Sequence, residues 1–319
     1  MRPRLVLAAS LALVAAVAQA QQYPARAVRI VVPSAPGGGT DITARILAPK
    51  LSELLGQQFV VENRAGAGTM IGGEVVARAA PDGYTLLMGI STLAINPATY
   101  KKVPYDALKD FATISQVVSL PNVLVTHPSV PVKTVKELVA FTRARPGEIH
   151  YASAGVGTNP HLSMELFLLM GRIKMVHVPY KGSGPGLVDI VAGHVSVMTP
   201  SILSGIPHIK SGRLRGLGVT SAKRAGGVPD IPTISEAGLP GYEAVQWFGL
   251  LAPAATSREI VTRLHGETVR ALQSSEVKNR LAADGADPVG GTPEEFAAFM
   301  RSETAKWAKV VKEAGIQPE

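Results

Sequence analysis

Apolar residues recur along this chain in short β-branched runs that stop at glycine or proline and give way to helical spacing. Val28, Ile30 and Val32 alternate with Arg29 and Val31, and Pro33 with Pro36 ends the run, so a strand is predicted over 28–32. Ile42, Ile46 and Leu47 then follow helical spacing as far as Leu55-Gly56, with Thr40 or Asp41 as the cap. The unit repeats. Strands are predicted over 59–61, 84–88, 149–151, 175–178, 195–198 and 214–220, and helices over 71–79, 135–145, 160–170 and 187–192, with a helical turn at 206–210. Ser91-Thr92 reads as a polar turn, and Pro121 divides two apolar runs, 112–118 and 122–125. An apolar strand over 247–251 precedes three amphipathic helices, 258–273, 276–283 and 293–312, the last capped by Thr292.

Strand, glycine turn and helix in repeated order predict an α/β fold. The proline-rich stretch 121–131 is read as a crossing between two lobes, and the strand at 247–251 as the return. Residues 21–122 and 246–319 then form lobe 1, and 123–245 form lobe 2.

Two glycine loops stand out in this layout. Gly37, Gly38 and Gly39 lack a Cβ, so the chain turns sharply there and a ligand can approach the peptide groups. The following helix leaves its first N–H groups directed at the loop, a disposition that favours an anion; a bare strand-to-helix turn reads equally well from this stretch alone. The second loop uses the same device. Ser34-Ala35 and Ser153-Ala154 each lead to Gly-x-Gly-Thr, at 37–40 and 155–158, and Asn159 with Pro160 fits a helix start. One loop on each side of the crossing suggests a shared cleft.

Composition narrows the function. The chain has 319 residues, 46% hydrophobic and 18% charged, enough for two lobes with their own cores. Cysteine is absent, which excludes disulfides and thiolate chemistry. Arg2 and Arg4 precede an apolar run over 5–17, and Ala18-Gln19-Ala20 has the small residues of a cleavage site, so residues 1–20 are read as a secretory signal cut before Gln21. The formal charge of +8 comes without a Lys/Arg run of five, so small anions fit better than nucleic acid, which is not expected as a partner.

Catalytic signatures are missing. There is no Gly-x-Ser-x-Gly, no His-Glu-x-x-His and no glycine loop ending in Gly-Lys-Ser/Thr, and the seven histidines lack close metal-ligand spacing. Neither a cofactor nor a metal is expected. His161, one turn into the second loop's helix, is the histidine nearest the proposed cleft; with Ser153 it defines the competing reading, an exported hydrolase or isomerase.

The motifs then carry a resemblance. Val32-Pro33 through Pro36-Gly37-Gly38-Gly39-Thr40-Asp41, Val61-Glu62-Asn63-Arg64 with Gly66-Ala67-Gly68, and Pro81-Asp82-Gly83-Tyr84-Thr85-Leu86 run in order. They are followed by His177-Val178-Pro179-Tyr180-Lys181-Gly182, Glu236-Ala237-Gly238, Trp247 and Thr292-Pro293-Glu294-Glu295-Phe296. Together they resemble the Bug-type extracytoplasmic solute receptors of tripartite tricarboxylate transporters, over nearly the whole mature chain. The resemblance implies a periplasmic binding protein of the type II plan, with a small carboxylate held by main-chain groups of two loops. These match Ala35, Pro36, Gly37, Gly38, Gly39, Thr40 and Asp41 on one side, and Ser153, Ala154, Gly155, Val156, Gly157, Thr158 and Asn159 on the other. Ser34, Ser91, Thr92, His161, Tyr180, Lys181, Ser201 and Trp247 complete the expected lining. A monomer is expected, with a membrane permease or a sensor kinase as its partner.

Two positions depart from the family pattern. Ser34 stands where many members carry Phe or Tyr, and Thr199-Pro200-Ser201 occupies the stretch where some place an Asp. Without that carboxylate an amino-acid ligand loses its ammonium partner, so an uncharged or acidic tail is expected. The two-loop reading predicts that Gly38→Val and Gly157→Val abolish carboxylate binding in calorimetry, while Thr40→Ala weakens it modestly; normal affinity in both glycine variants would refute it.

Overall fold

The computed structural model describes residues 23–283, 285–313 and 317–318, so the expected leader and its cleavage point lie outside the described residues. Strands β1 (Val28–Val32), β2 (Phe59–Asn63), β3 (Thr85–Ile90) and β4 (Phe111–Pro121) begin one sheet. β5 (Val123–Thr126), β6 (His150–Ser153), β7 (Val176–Pro179), β8 (Val197–Met198) and β9 (Arg215–Val219) form a second, and β10 (Val245–Pro253) with β11 (Asp287–Pro288) returns to the first. Among the described residues the orders are β11-β4-β10-β3-β1-β2 and β7-β6-β8-β5-β9. β1 is parallel to β2 and β3, and β6 to β7 and β8, while the strands that connect the sheets run antiparallel to their neighbours. This is the two-lobed α/β plan of type II periplasmic binding proteins.

Parallel strands covered by helices on both faces must be apolar throughout. β1 accordingly buries Val28, Ile30, Val31 and Val32 completely. Helix α1 (Gly39–Leu55) lays Ala44, Leu47, Ala48, Leu51 and Leu55 on that sheet at helical spacing and ends on Gly56 in the left-handed region, φ 69°. The chain changes sheet at Asn122, directly after β4. Pro121 separates the two apolar runs as expected: it is the last residue of β4, opposite Val245, a strand end where its missing N–H is tolerated, and the second run continues as β5 in the other sheet. Pro128 and Pro131 fall in a loop after β5.

Other local expectations change. The polar turn at Ser91-Thr92 opens a short helix, after α2 (Met70–Ala77): α3 (Thr92–Thr99), whose Leu93, Ala94 and Ile95 are buried despite Pro97. Tertiary burial outweighs the proline there. Helices α4 (Val135–Arg143), α5 (Asn159–Gly171) and α6 (Ser183–Val191) follow, and the expected helical turn at 206–210 is a full helix, α7 (Ile202–Lys210). The C-terminal helices α8 (Arg258–Gln273), α9 (Ser275–Ala283) and α10 (Pro293–Glu313) return to the first sheet's side.

Within the second lobe, three rings stack between sheet and helix. Tyr151 and His177 pair across β6 and β7 with centroids 4.9 Å apart, and His161 of α5 covers His177 at 4.2 Å. His177 Nε2 shares a 2.5 Å hydrogen bond with Ser153 Oγ, and His161 Nδ1 accepts from the Gly157 N–H at 3.2 Å. Burial pushes both imidazoles down to about 4; at His177 the neighbouring His161 acts in the same direction and Glu165 against it.

Unfolded histidines titrate near 6.5, so between about 6.5 and 4 the unfolded chain binds more protons than the folded one. Stability contributed by the neutral pair is therefore complete above pH ~6.5 and is lost as pH falls towards ~4. Urea unfolding at stepped pH should show this slope, and a His161→Gln/His177→Gln variant should flatten it. An unchanged slope in the variant would assign the loss to other groups.

Candidate functional site

The first loop is set by its own lobe. After β1 the chain passes Pro33, Ser34, Ala35 and Pro36, turns at Gly37 (φ +82°) and enters α1 with Gly38 as the cap residue, which makes no side-chain cap bond. Thr40 and Asp41 are not caps. Asp41 lies in the first turn and reaches back: its Oδ2 accepts the Gly37 N–H at 3.0 Å, and its oxygens also accept from Arg45 Nε and Asn63 Nδ2, each at 3.0 Å. Burial acts to raise this carboxyl, but the bonds from Arg45, Gly37 and Asn63 outweigh it and hold the group below the usual range. Asp41 is thus an ionised strut inside the loop.

The second loop is built by hydroxyl groups. Ser153 Oγ accepts the Gly155 N–H at 3.1 Å, and Thr158 Oγ1 donates to Gly155 O at 2.6 Å. Thr158, not Asn159, is the residue before α5; Asn159 is the first helical residue and is fully buried. Its Oδ1 accepts from Asn122 Nδ2 at 2.7 Å and its Nδ2 donates to Val245 O at 2.9 Å, so it ties the two crossings together.

A cavity of about 60 Å³ lies between the lobes. The first lobe lines it with Pro33, Ser34, Gly38, Gly39, Thr40, Ile90, Gln246, Phe248 and the turn at 66–69; the second with Ala154, Thr158, residues 180–183 and Ser201. Four helix starts meet there: α1 at Gly38-Gly39, α5 at Thr158, α6 at Gly182-Ser183 and α7 at Ser201. A helix start leaves its first N–H groups without intrahelical partners and carries the positive end of the helix dipole, so these four ends favour an anion. The only charged side chain among the described lining residues is Lys181, which is exposed.

Of the residues expected at the site, Ser34, Gly38, Gly39, Thr40, Ala154, Thr158, Tyr180, Lys181 and Ser201 come together on this cavity. Others close its mouth. The Ala35 N–H donates to Lys181 O at 2.9 Å, Pro36 and Gly37 face Gly184, and Val156 O accepts from Tyr100 OH at 2.9 Å. A Cβ at Gly157 would stand 2.7 Å from Thr99 Oγ1, and one at Gly155 3.0 Å from Tyr180 O. Gly38 differs: the nearest atom to its Cβ position is Ser183 N at 3.6 Å, ordinary contact, whereas a Cβ on Gly39 would collide with Ser201.

The remaining residues lie behind the walls. Thr92 bonds Thr69 through their hydroxyls at 2.6 Å, and Ser91 is fully buried. Trp247 packs edge-on against Phe296 and Phe299 of α10, because alternation along β10 sends Gln246 and Phe248 to the cavity and Trp247 to the other face. Ser153 and His161 belong to the ring stack and do not line the cavity, so the acid-base pair of the hydrolase reading has no access to a ligand there. The sequence reading missed Gln246, Phe248, Ile90, Pro33, Gly182, Ser183 and the 66–69 turn. Strand alternation around Trp247 signalled the first two, and the glycines at 66 and 68 the last.

Among the described residues no His/Cys/Asp/Glu cluster could hold a metal. The sequence model of the family described as tripartite tricarboxylate transporter family receptor matches residues 43–316. Protein BugT of Bordetella pertussis is 41% identical over 306 residues, covering 95% of this chain and 94% of BugT. The solved structure of R. palustris Rpa4515 with adipate superposes with a TM-score of 0.91 at 39% identity, covering 93% of this chain and all of that one. MatC from Rhodopseudomonas palustris with bound malate gives 0.85 at 33%, covering 91% of this chain and all of that one. The chain belongs to the tripartite tricarboxylate transporter receptor family.

Proposed function

We propose that this receptor captures a small organic carboxylate between its lobes in the periplasm and presents the closed form to a membrane permease. The observation that carries this is the convergence of four helix starts on a cavity between the lobes, with no carboxylate among its described lining residues. Such walls supply N–H donors to an anion and no counter-charge to an ammonium group. Adipate in Rpa4515 and malate in MatC are small carboxylic acids of this kind.

In this reading residues 21–122 with 246–319 and residues 123–245 act as the two jaws, and the leader is removed before Gln21. In this reading the receptor acts as a monomer. A permease takes precedence over a sensor kinase because the matched family is one of transporter receptors.

Ligand-stripped protein spanning 21–319 should gain thermal stability with adipate, malate, citrate or benzoate, since a ligand bound only by the native state stabilises it by about 2.7 kcal/mol at 100 times its Kd. Glutamate should give a smaller shift than glutarate, because its ammonium finds no partner. Absence of any shift across these acids, or a larger shift with glutamate, would overturn the reading.

A further inference from the structure

The Val61-Glu62-Asn63-Arg64 run carries part of the family resemblance, yet none of its residues is among the described lining of the cavity. Asn63 reaches the first loop all the same. It ends β2 beside Val32 of β1, and its Nδ2 donates to Ser34 O at 2.9 Å and to Asp41 Oδ1 at 3.0 Å. Its Oδ1 accepts from Arg45 Nη2 at 3.1 Å, while Arg45 Nε donates to Asp41 at 3.0 Å. Asn63, Arg45 and Asp41 thus close a ring of hydrogen bonds, with Ser34 O and the Gly37 N–H attached to it.

The partners dictate which residue can stand there. Ser34 O and the Asp41 carboxylate only accept, so they need the two donors of an amide, and the Arg45 guanidinium only donates, so it needs the amide oxygen. A carboxyl in the same place offers one donor when protonated and none when ionised.

Two consequences reach the cavity. The ring holds both ends of the 34–37 turn, Ser34 by its carbonyl and Gly37 by its N–H, and Ser34, Gly38 and Gly39 line the cavity on either side of that turn. It also commits a charge. Asp41 lies in the first turn of α1, where a carboxylate is drawn to the helix's own first N–H groups and competes there with an incoming anion. Bonds from Asn63, Arg45 and the Gly37 N–H occupy it instead, and Asp41 stays out of the described cavity lining.

Resting on the carboxylate reading above, we infer that Asn63 is a positioning residue for anion capture: it sets the first loop and holds the Asp41 carboxylate off the start of α1, which leaves that helix end to the ligand. Arg45 supports it from the surface, with its side chain 53% exposed.

Calorimetry and stopped-flow binding test this, with whichever of adipate, malate, citrate and benzoate binds wild type most tightly. Each variant is compared with wild type at about pH 8 and about pH 5.5, so that protonation of the acid itself cancels. Asn63→Leu removes both donors and should weaken binding about tenfold at either pH. Asn63→Asp sets a second carboxyl against Asp41, and two carboxylates sharing a site raise one pKa. It should bind about tenfold more weakly at the higher pH and recover to within about threefold of wild type at the lower, because the shared proton restores a donor. Wild-type affinity in both variants, or a loss in Asn63→Asp that is the same at both pH values, would overturn the assignment and leave the carboxylate reading in place. If the Asn63 variants do not fold, Arg45→Met at its exposed position decides: release should quicken about threefold with association unchanged, and an unchanged release rate would overturn the assignment. Failure of wild type to bind any of the four acids would overturn the carboxylate reading and this assignment with it.

Discussion

Asn122 and Asn159 hold the molecule's geometry together. Asn122 lies where the chain leaves the first sheet, Asn159 at the first residue of α5, and their side chains meet at 2.7 Å. Asn159 then donates to Val245 O, where the chain returns, and the Asn122 N–H donates to Thr220 Oγ1 at 2.8 Å. All of these residues except Val245 are completely buried. A buried amide deprived of one partner costs more than a hydrogen bond is worth when made, so the node holds as a unit. Its consequences reach the cavity: Gln246 follows Val245, Ser201 bridges Asn122, and Thr158 precedes Asn159. The crossings and the walls are therefore one construction.

Much of this was legible in sequence because it is local. The β1 run, the glycine loop after it and the spacing of α1 follow from residue type over short stretches, and the α8 boundaries agree to the residue. What escaped was decided by distant partners. α3 forms around Pro97 because Leu93, Ala94 and Ile95 are taken into a core assembled from remote segments. Trp247 was conspicuous by type, yet a strand's two faces cannot be told apart until the sheet has neighbours on each side. Asn159 had the composition of a helix cap, and only its partner 37 residues earlier shows that it serves the crossing instead.

The site's electrostatics depend on this arrangement rather than on cations. Arg45 is drawn to Asp41, Arg29 and Arg64 to Glu62, and these pairs stand outside the cavity lining. Positive potential inside comes from backbone dipoles whose direction the fold has already fixed. Fixed dipoles cannot swing away from a ligand or be neutralised by a proton, and they impose no side-chain ordering cost when an anion arrives. The +8 charge of the chain therefore describes its surface more than its cleft.

Glycine acquires a different meaning once the jaws are seen together. Read along the chain, the glycines of the loops suggest room for a ligand. In the closed molecule most of them make room for the opposite lobe: Gly184 against Pro36, Gly39 against Ser201, Gly157 against Thr99. A side chain at any of these positions would wedge the lobes apart before it reached the ligand. Closure brings the Ala35 N–H to Lys181 O and Tyr100 OH to Val156 O, and both bonds require the backbones to approach this closely. Ligand capture and lobe contact therefore rest on the same absence of side chains, which couples occupancy of the cavity to the shape a membrane partner would read.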